Sequence, residues 1–182
     1  MTCIVGMVDK LNKKVYIGGD SAGVDDNEIV VRKDVKVFKN KDFIIGGTSS
    51  FRMIQLLRFS FKPPKINKKD IYKYMCTDFI DKVRECFYDG GYLQSYKNGD
   101  ELGGVFLVGY KDRLFYIDED FQVGESKVGY DTIGCGRDYA KGAITALIKY
   151  GNLTTKEIVK TSLKISSEHS TSVCGPYNII ST

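Results

Sequence analysis

Residues 2–20 read TCIVGMVDKLNKKVYIGGD, two apolar runs separated by the polar stretch 9–14. Two such runs around a polar turn are the pattern of a β-hairpin. The hairpin opens on a threonine, Thr2, directly behind the initiator methionine, and closes on an acid in Gly18-Gly19-Asp20. A small residue at position two is common and says little alone. The rest of the chain decides the role of Thr2.

Working outward, EIVV (28–31) and VKVF (35–38) read as short strands, and DFIIGGTSS (42–50) as a strand running into a Gly-Thr-Ser turn. Ser49 or Ser50 caps a helix over FRMIQLLRFSF (51–61), with Met53, Leu56 and Leu57 on one side, and Lys62-Pro63-Pro64-Lys65 stops it. A second helix is expected from Asn67, over 67–91, where Ile71, Met75, Phe79, Val83 and Cys86/Phe87 recur at helical spacing and Gly90-Gly91 ends it. LGGVFLVGY (102–110), RLFYID (113–118) and KVGYDTIG (127–134) are strand-like. RDYAKGAITALIKYG (137–151) and TTKEIVKTSLKISSEHS (154–170) are helical, the latter with Thr154 and Glu157 placed as a capping box. PYNIIST (176–182) is a last strand. Strands, two helices, strands, two helices and one strand predict a single α+β layered domain over 1–182, sheets together and helices outside.

Composition narrows the function. The charge is +4, from 27 lysines and arginines against 23 acids, and the lysines are scattered; a nucleic-acid partner is not expected. No apolar run approaches the roughly 18–20 residues that span a bilayer, and no signal peptide precedes the first strand, so no membrane association and a cytoplasmic location are expected. The five cysteines form no C-x-x-C pair, which argues against a disulfide framework or a zinc site. The single histidine, His169, lies in the polar stretch SSEHSTS and reads as a surface or capping residue. An enzyme built on this chain needs a base other than histidine.

The blocks T-C-I-V-G (2–6), V-Y-I-G-G-D-S (15–21), V-K-V-F (35–38), I-I-G-G-T-S-S (44–50), and T-I-G-C-G with Y-A-K-G-A (132–143) stand in this order along nearly the whole chain. Together they resemble the proteasome β-subunits, and most closely the HslV peptidases of that group. The resemblance implies a four-layer α-β-β-α sandwich of two antiparallel sheets flanked by helices, the N-terminal nucleophile hydrolase fold. It implies a threonine peptidase whose nucleophile is Thr2, exposed by removal of Met1. It puts Asp20 at the acidic residue that ends the second strand and Lys36 at a buried lysine. Gly47 falls near the oxyanion-facing N–H, with Gly46, Thr48 and Ser49 as alternatives in register. Cys135 falls where most members carry serine.

The chemistry suits those residue types. A threonine hydroxyl is a poor nucleophile without a base, and a free α-amine, with a pKa of about 8, supplies one on the same residue. A lysine favours the alkoxide and lowers the amine pKa by like charge. A carboxylate holds that lysine charged, and a backbone N–H receives the oxyanion. Cys3, next along the strand, is expected to face the opposite way into the core.

Two departures bear on the accessory site. A thiol at Cys135 donates more weakly than a hydroxyl. In EHSTSVCGPYN (168–178) the family's acidic position falls on Ser170 or Thr171, with Glu168 displaced and Ser172 supplying a hydroxyl. No cofactor is required; a monovalent or divalent cation bound by carbonyls of this C-terminal loop is an option among relatives. The resemblance further implies polypeptide substrates, a homo-oligomeric ring with contacts on helices 51–61 and 67–89, and a separate ATP-driven unfoldase, since no G-x-x-x-x-G-K-[ST] is present. The alternatives are a catalytically inactive structural ring subunit and an amidohydrolase acting on a small amide.

Overall fold

The computed structural model describes residues 2–25, 28–67, 70–95 and 101–182. The opening hairpin forms as the polar turn requires: β1 (Cys3–Asp9) pairs antiparallel with β2 (Lys14–Gly19), from Ile4↔Gly19 to Asp9↔Lys14. The Asp9 carboxylate accepts from the Asn12 N–H (3.0 Å) and side-chain amide (2.9 Å), which closes the turn. Next come β3 (Ala22–Asp25), β4 (Glu28–Val31), β5 (Val37–Asn40) and β6 (Phe43–Gly47). β5 therefore starts two residues later than expected, and Lys36 immediately precedes it.

α1 (Phe51–Gln55) is capped by Ser50, whose side chain accepts from the Arg52 N–H, and it runs on as a π-helical turn, Leu56–Ser60. The helix expected from Asn67 begins at α2 (Ile71–Tyr74), capped by Asp70; it passes through a second π-helical turn, Met75–Phe79, into α3 (Ile80–Asp89). Lys68 and Lys69 lie outside the described residues. β7 (Gln94–Ser95), β8 (Glu101–Leu102), β9 (Phe106–Tyr110), β10 (Arg113–Ile117), β11 (Val123–Glu125) and β12 (Tyr130–Gly134) come after it. α4 (Arg137–Tyr150), α5 (Thr155–His169) and β13 (Asn178–Ser181) complete the chain, and the Thr154–Glu157 capping box is present.

The strands form a four-stranded sheet, β12-β1-β2-β13, and a five-stranded sheet, β11-β10-β9-β6-β5, with β3-β4 and β7-β8 as separate hairpins. The pairings are antiparallel. Strand alternation then builds three apolar layers. Ile4, Val15 and Ile17 meet Val37, Ile44, Leu107 and Leu114 between the sheets. Cys3, Val5 and Met7, on the other face of β1, meet Ala140 and Ile144 of α4 and Val159 and Leu163 of α5. Phe43, Ile45, Phe106, Val108 and Phe115 meet Leu57, Phe79, Val83 and Phe87 from the α1–α3 region. Three cores between four layers make an α-β-β-α sandwich. Gly18 lets the last helix lie close on the sheet: a Cβ there would come within 2.7 Å of Val159 and 2.9 Å of Leu163. Among the described residues, no helix is long and apolar enough to cross a membrane.

Candidate active site

The site forms where β1 begins and β2 ends. Because β1 and β2 pair with Ile4 opposite Gly19, Asp20 falls opposite Cys3, the neighbour of Thr2. Asp20 N–H donates to the Cys3 carbonyl (3.2 Å), and the Cys3 N–H donates back to Asp20 Oδ1 (2.9 Å). The same oxygen accepts from Lys36 Nζ at 2.9 Å, while Oδ2 accepts from the Ala22 N–H at 2.9 Å. Both side chains of the pair are sealed, at 1% and 0% exposure. Two donors on one oxygen bring the Lys36 ammonium within about 6 Å of the Cys3 nitrogen, and hence against the Thr2–Cys3 peptide bond. Thr2 itself is buried.

Burial pushes the Lys36 ammonium below the ordinary lysine range; the charge and hydrogen bond of Asp20 offset part of that. A buried ion pair of this kind contributes little net stability, yet breaking it costs about 3–5 kcal/mol because one charge stays behind unpaired. The pair is thus a device for holding a positive charge at a defined place.

The Thr2 carbonyl is held from the other side. Gly136 N–H donates to it at 3.3 Å, and Gly134, at φ +91°, passes so close that a Cβ would strike it. That position requires glycine twice over, for its left-handed backbone and for the space. The same imagined Cβ would lie 3.3 Å from the Thr48 hydroxyl, which places Thr48 at the site as well. Cys135 stands between the two glycines with its side chain exposed. Cys3 points away from Asp20 into the α4–α5 layer, as strand alternation demands, and burial pushes its thiol up to about 12. It is inert at neutral pH.

The structure engages Gly47 differently from the sequence expectation. Its N–H donates to the Lys36 carbonyl at 3.0 Å, continuing the β5–β6 ladder, so it does not face the nucleophile in this conformation. Thr48 N–H donates to Val105 O at 3.1 Å, and Gly46, two residues earlier on the same edge, pairs with Leu107 in the same register. Ser49, at φ +66° and exposed, donates its N–H to no described residue. Its hydroxyl accepts from Val105 N–H at 3.2 Å.

Two residues at the site lay outside the sequence expectations. Cys174, in the loop after α5, accepts the Ser21 N–H on its carbonyl at 2.9 Å, and its thiol is pushed up by burial and by Asp20. Ser166 of α5 donates to the Gly136 carbonyl at 2.6 Å. Both are more than 100 residues from Thr2 in sequence and carry no motif. His169 stacks on Tyr139, ring centroids 5.5 Å apart, in the last turn of α5. Among the described residues, no three histidines, cysteines or acids are grouped to hold a metal ion.

Comparison with known proteins fixes the family. No family model matches the chain. Over 160 residues it is 41% identical to the ATP-dependent protease subunit HslV of Campylobacter hominis, covering 84% of this chain and 81% of that protein. The chain belongs to the HslV family. The HslV subunit of Campylobacter jejuni subsp. doylei is 27% identical over 166 residues, covering 87% of this chain and 84% of its own. Among solved structures, Thiobacillus denitrificans BPH in complex with epoxomicin superposes with a TM-score of 0.81 at 16% identity, covering 98% of this chain and 97% of that one. Eukaryotic HslV from Trypanosoma brucei gives 0.70 at 17% identity, covering 99% and 98%. At those identities the superpositions speak for the fold alone, and the fold is that of the proteasome-like N-terminal nucleophile hydrolases. This HslV-family chain is a threonine peptidase, a hydrolase.

Proposed function

We propose that this HslV-family peptidase cleaves peptide bonds with the Thr2 hydroxyl, freed for reaction by removal of Met1. The observation that carries the reading is the single Asp20 oxygen that holds both the Cys3 N–H and the Lys36 ammonium in a sealed environment. It sets a cation beside the N-terminal residue and leaves no histidine in the mechanism. The Thr2 oxygen attacks the substrate carbonyl carbon, and its proton passes to the Thr2 α-amine, directly or through one water. Lys36 favours the alkoxide. The oxyanion is received by a backbone N–H of the 46–49 turn. With the Gly47 and Thr48 N–H groups engaged in the ladders, the role falls to Ser49, whose N–H donates to no described residue. One such donor contributes about 3–4 kcal/mol in acyl transfer. The amine returns the proton to the leaving nitrogen as the peptide bond breaks, leaving an ester on Thr2. Water, deprotonated by the same amine, then hydrolyses that ester. Cys135 lies beside Thr2 to support the amine, more weakly than serine.

The Campylobacter hominis relative is an ATP-dependent protease subunit by name. That supports polypeptide substrates, a homo-oligomeric ring and a separate ATP-driven unfoldase for this chain, working in the cytoplasm. Phe59, Tyr72 and Tyr88 are exposed on the helical segments assigned to ring contacts, which fits the same reading. The Cys174 and Pro176 carbonyls of the C-terminal loop, the groups that would hold a bound metal ion, each accept one bond from Ser21, through its N–H and its hydroxyl, and keep a second lone pair. The steps above draw on no bound metal ion. Thr2→Ala and Lys36→Ala should each abolish peptide turnover while particles of unchanged size still form. Turnover surviving in both, measured on purified particles, removes the mechanism.

A further inference from the structure

We infer that Ser166 is a positioning residue for the nucleophile: through the backbone of Gly136 it fixes the plane of the Thr2–Cys3 peptide bond. The inference rests on the reading of Thr2 as nucleophile and adds a residue that no motif supplies.

The Thr2–Cys3 peptide has two anchors. Its N–H is held by Asp20 Oδ1, and its carbonyl by the Gly136 N–H. The first anchor is charged and also holds Lys36. The second is a neutral bond at 3.3 Å, long enough to need help from behind. Ser166 gives that help: its hydroxyl donates to the Gly136 carbonyl at 2.6 Å. Ser166 thus holds the residue whose N–H holds the Thr2 carbonyl.

The choice of acceptor separates this from an ordinary buried serine. A helical serine usually bonds back to the carbonyl four residues earlier. Ser162, one turn before on α5 and equally buried, does so, donating to Ile158 O at 2.8 Å. Ser166 reaches across 30 residues to the turn beside Thr2 instead. There is no room for slack: a Cβ on Gly136 would come within 2.9 Å of both Cys3 Cβ and Val173. Rotation of the Thr2–Cys3 plane swings the Thr2 amine and hydroxyl relative to Lys36, and small misplacements of reacting atoms cost up to about a hundredfold in rate.

The test compares kcat, KM and Tm for Ser166→Ala, Ser166→Thr and Ser162→Ala in the assembled enzyme on a peptide substrate. Ser166→Ala should lower kcat about ten- to a hundredfold with KM nearly unchanged. Ser162→Ala should keep kcat. Ser166→Thr keeps the donor but adds a methyl to a packed site, so it should keep most of kcat and lose Tm. Equal kcat for Ser166→Ala and Ser162→Ala overturns the inference, as does a Ser166→Thr enzyme as slow as Ser166→Ala. Should Ser166→Ala not fold, Ser166→Cys replaces it, with a weak donor of similar volume. A lowered kcat at unchanged KM then supports the inference, and wild-type kcat overturns it. Labelling of the wild-type enzyme with a peptide epoxyketone stands apart from these comparisons. Failure to modify Thr2 there removes the nucleophile reading itself.

Discussion

One carboxylate organises the chemistry at the scale of single residues. Asp20 ties the start of β1 to the end of β2 and holds Lys36 in the gap between them. A pH dependence results. Burial sets the folded pKa of Lys36 below the ordinary 10.5, so its charge is lost at lower pH than that of a free lysine. Between the lowered value and 10.5 the unfolded chain binds the extra proton. The Lys36 contribution to stability therefore rises with pH across that window while activity falls. The alkaline limb of the kcat profile should lie below 10.5 with no matching loss of Tm attributable to Lys36; a limb at or above 10.5 removes Lys36 from the rate. Thr2, Asp20 and Lys36 are legible in sequence because they belong to short blocks in a fixed order. The oxyanion donor is not, since ladder pairing decides which N–H of 46–49 stays unengaged, and that depends on Lys36 and Val105 from two other segments. Ser166 and Cys174 are invisible for the same reason, their partners being set by how α5 and its loop fold back onto β1 and β3.

Elements obey local rules where the rules are strong. The Thr154–Glu157 box is readable from four residues, and both of its bonds form, Thr154 N–H to Glu157 Oε2 at 2.8 Å and Glu157 N–H to Thr154 Oγ1 at 3.4 Å. Thr154→Ala should cost about 1 kcal/mol, seen as a Tm lower by about 2–4 °C with kcat unchanged. An unchanged Tm means the cap adds nothing to α5. Helical spacing likewise marks Met75, Phe79, Val83 and Phe87 as a buried stripe. It does not reveal the π-helical turns at Leu56–Ser60 and Met75–Phe79, because one added residue per turn leaves a short apolar pattern intact. β7, β8 and β11 have two or three residues each, too few for alternation to show. β3 escapes notice because Ala22-Gly23 carries no strand propensity; its pairing to β4 makes it a strand.

The whole molecule is three apolar layers between four, and the nucleophile sits at the end of the sandwich where β1 meets both the α4 turn and the β5–β6 end. Layer order was open to inference from the order of strands and helix pairs. The groups that brace the site from behind were not, since they come from α5, the 134–136 turn and the C-terminal loop at once. The central claim is that Thr2 is the N-terminal, reactive residue of the mature subunit. It is tested most directly by the intact mass of the subunit from assembled particles, before and after treatment with a peptide epoxyketone, with the adduct located by fragmentation. The account predicts a mass lacking one methionine and a single adduct on Thr2, lost in Thr2→Ala. A subunit that keeps Met1, or an adduct on any other residue, contradicts it.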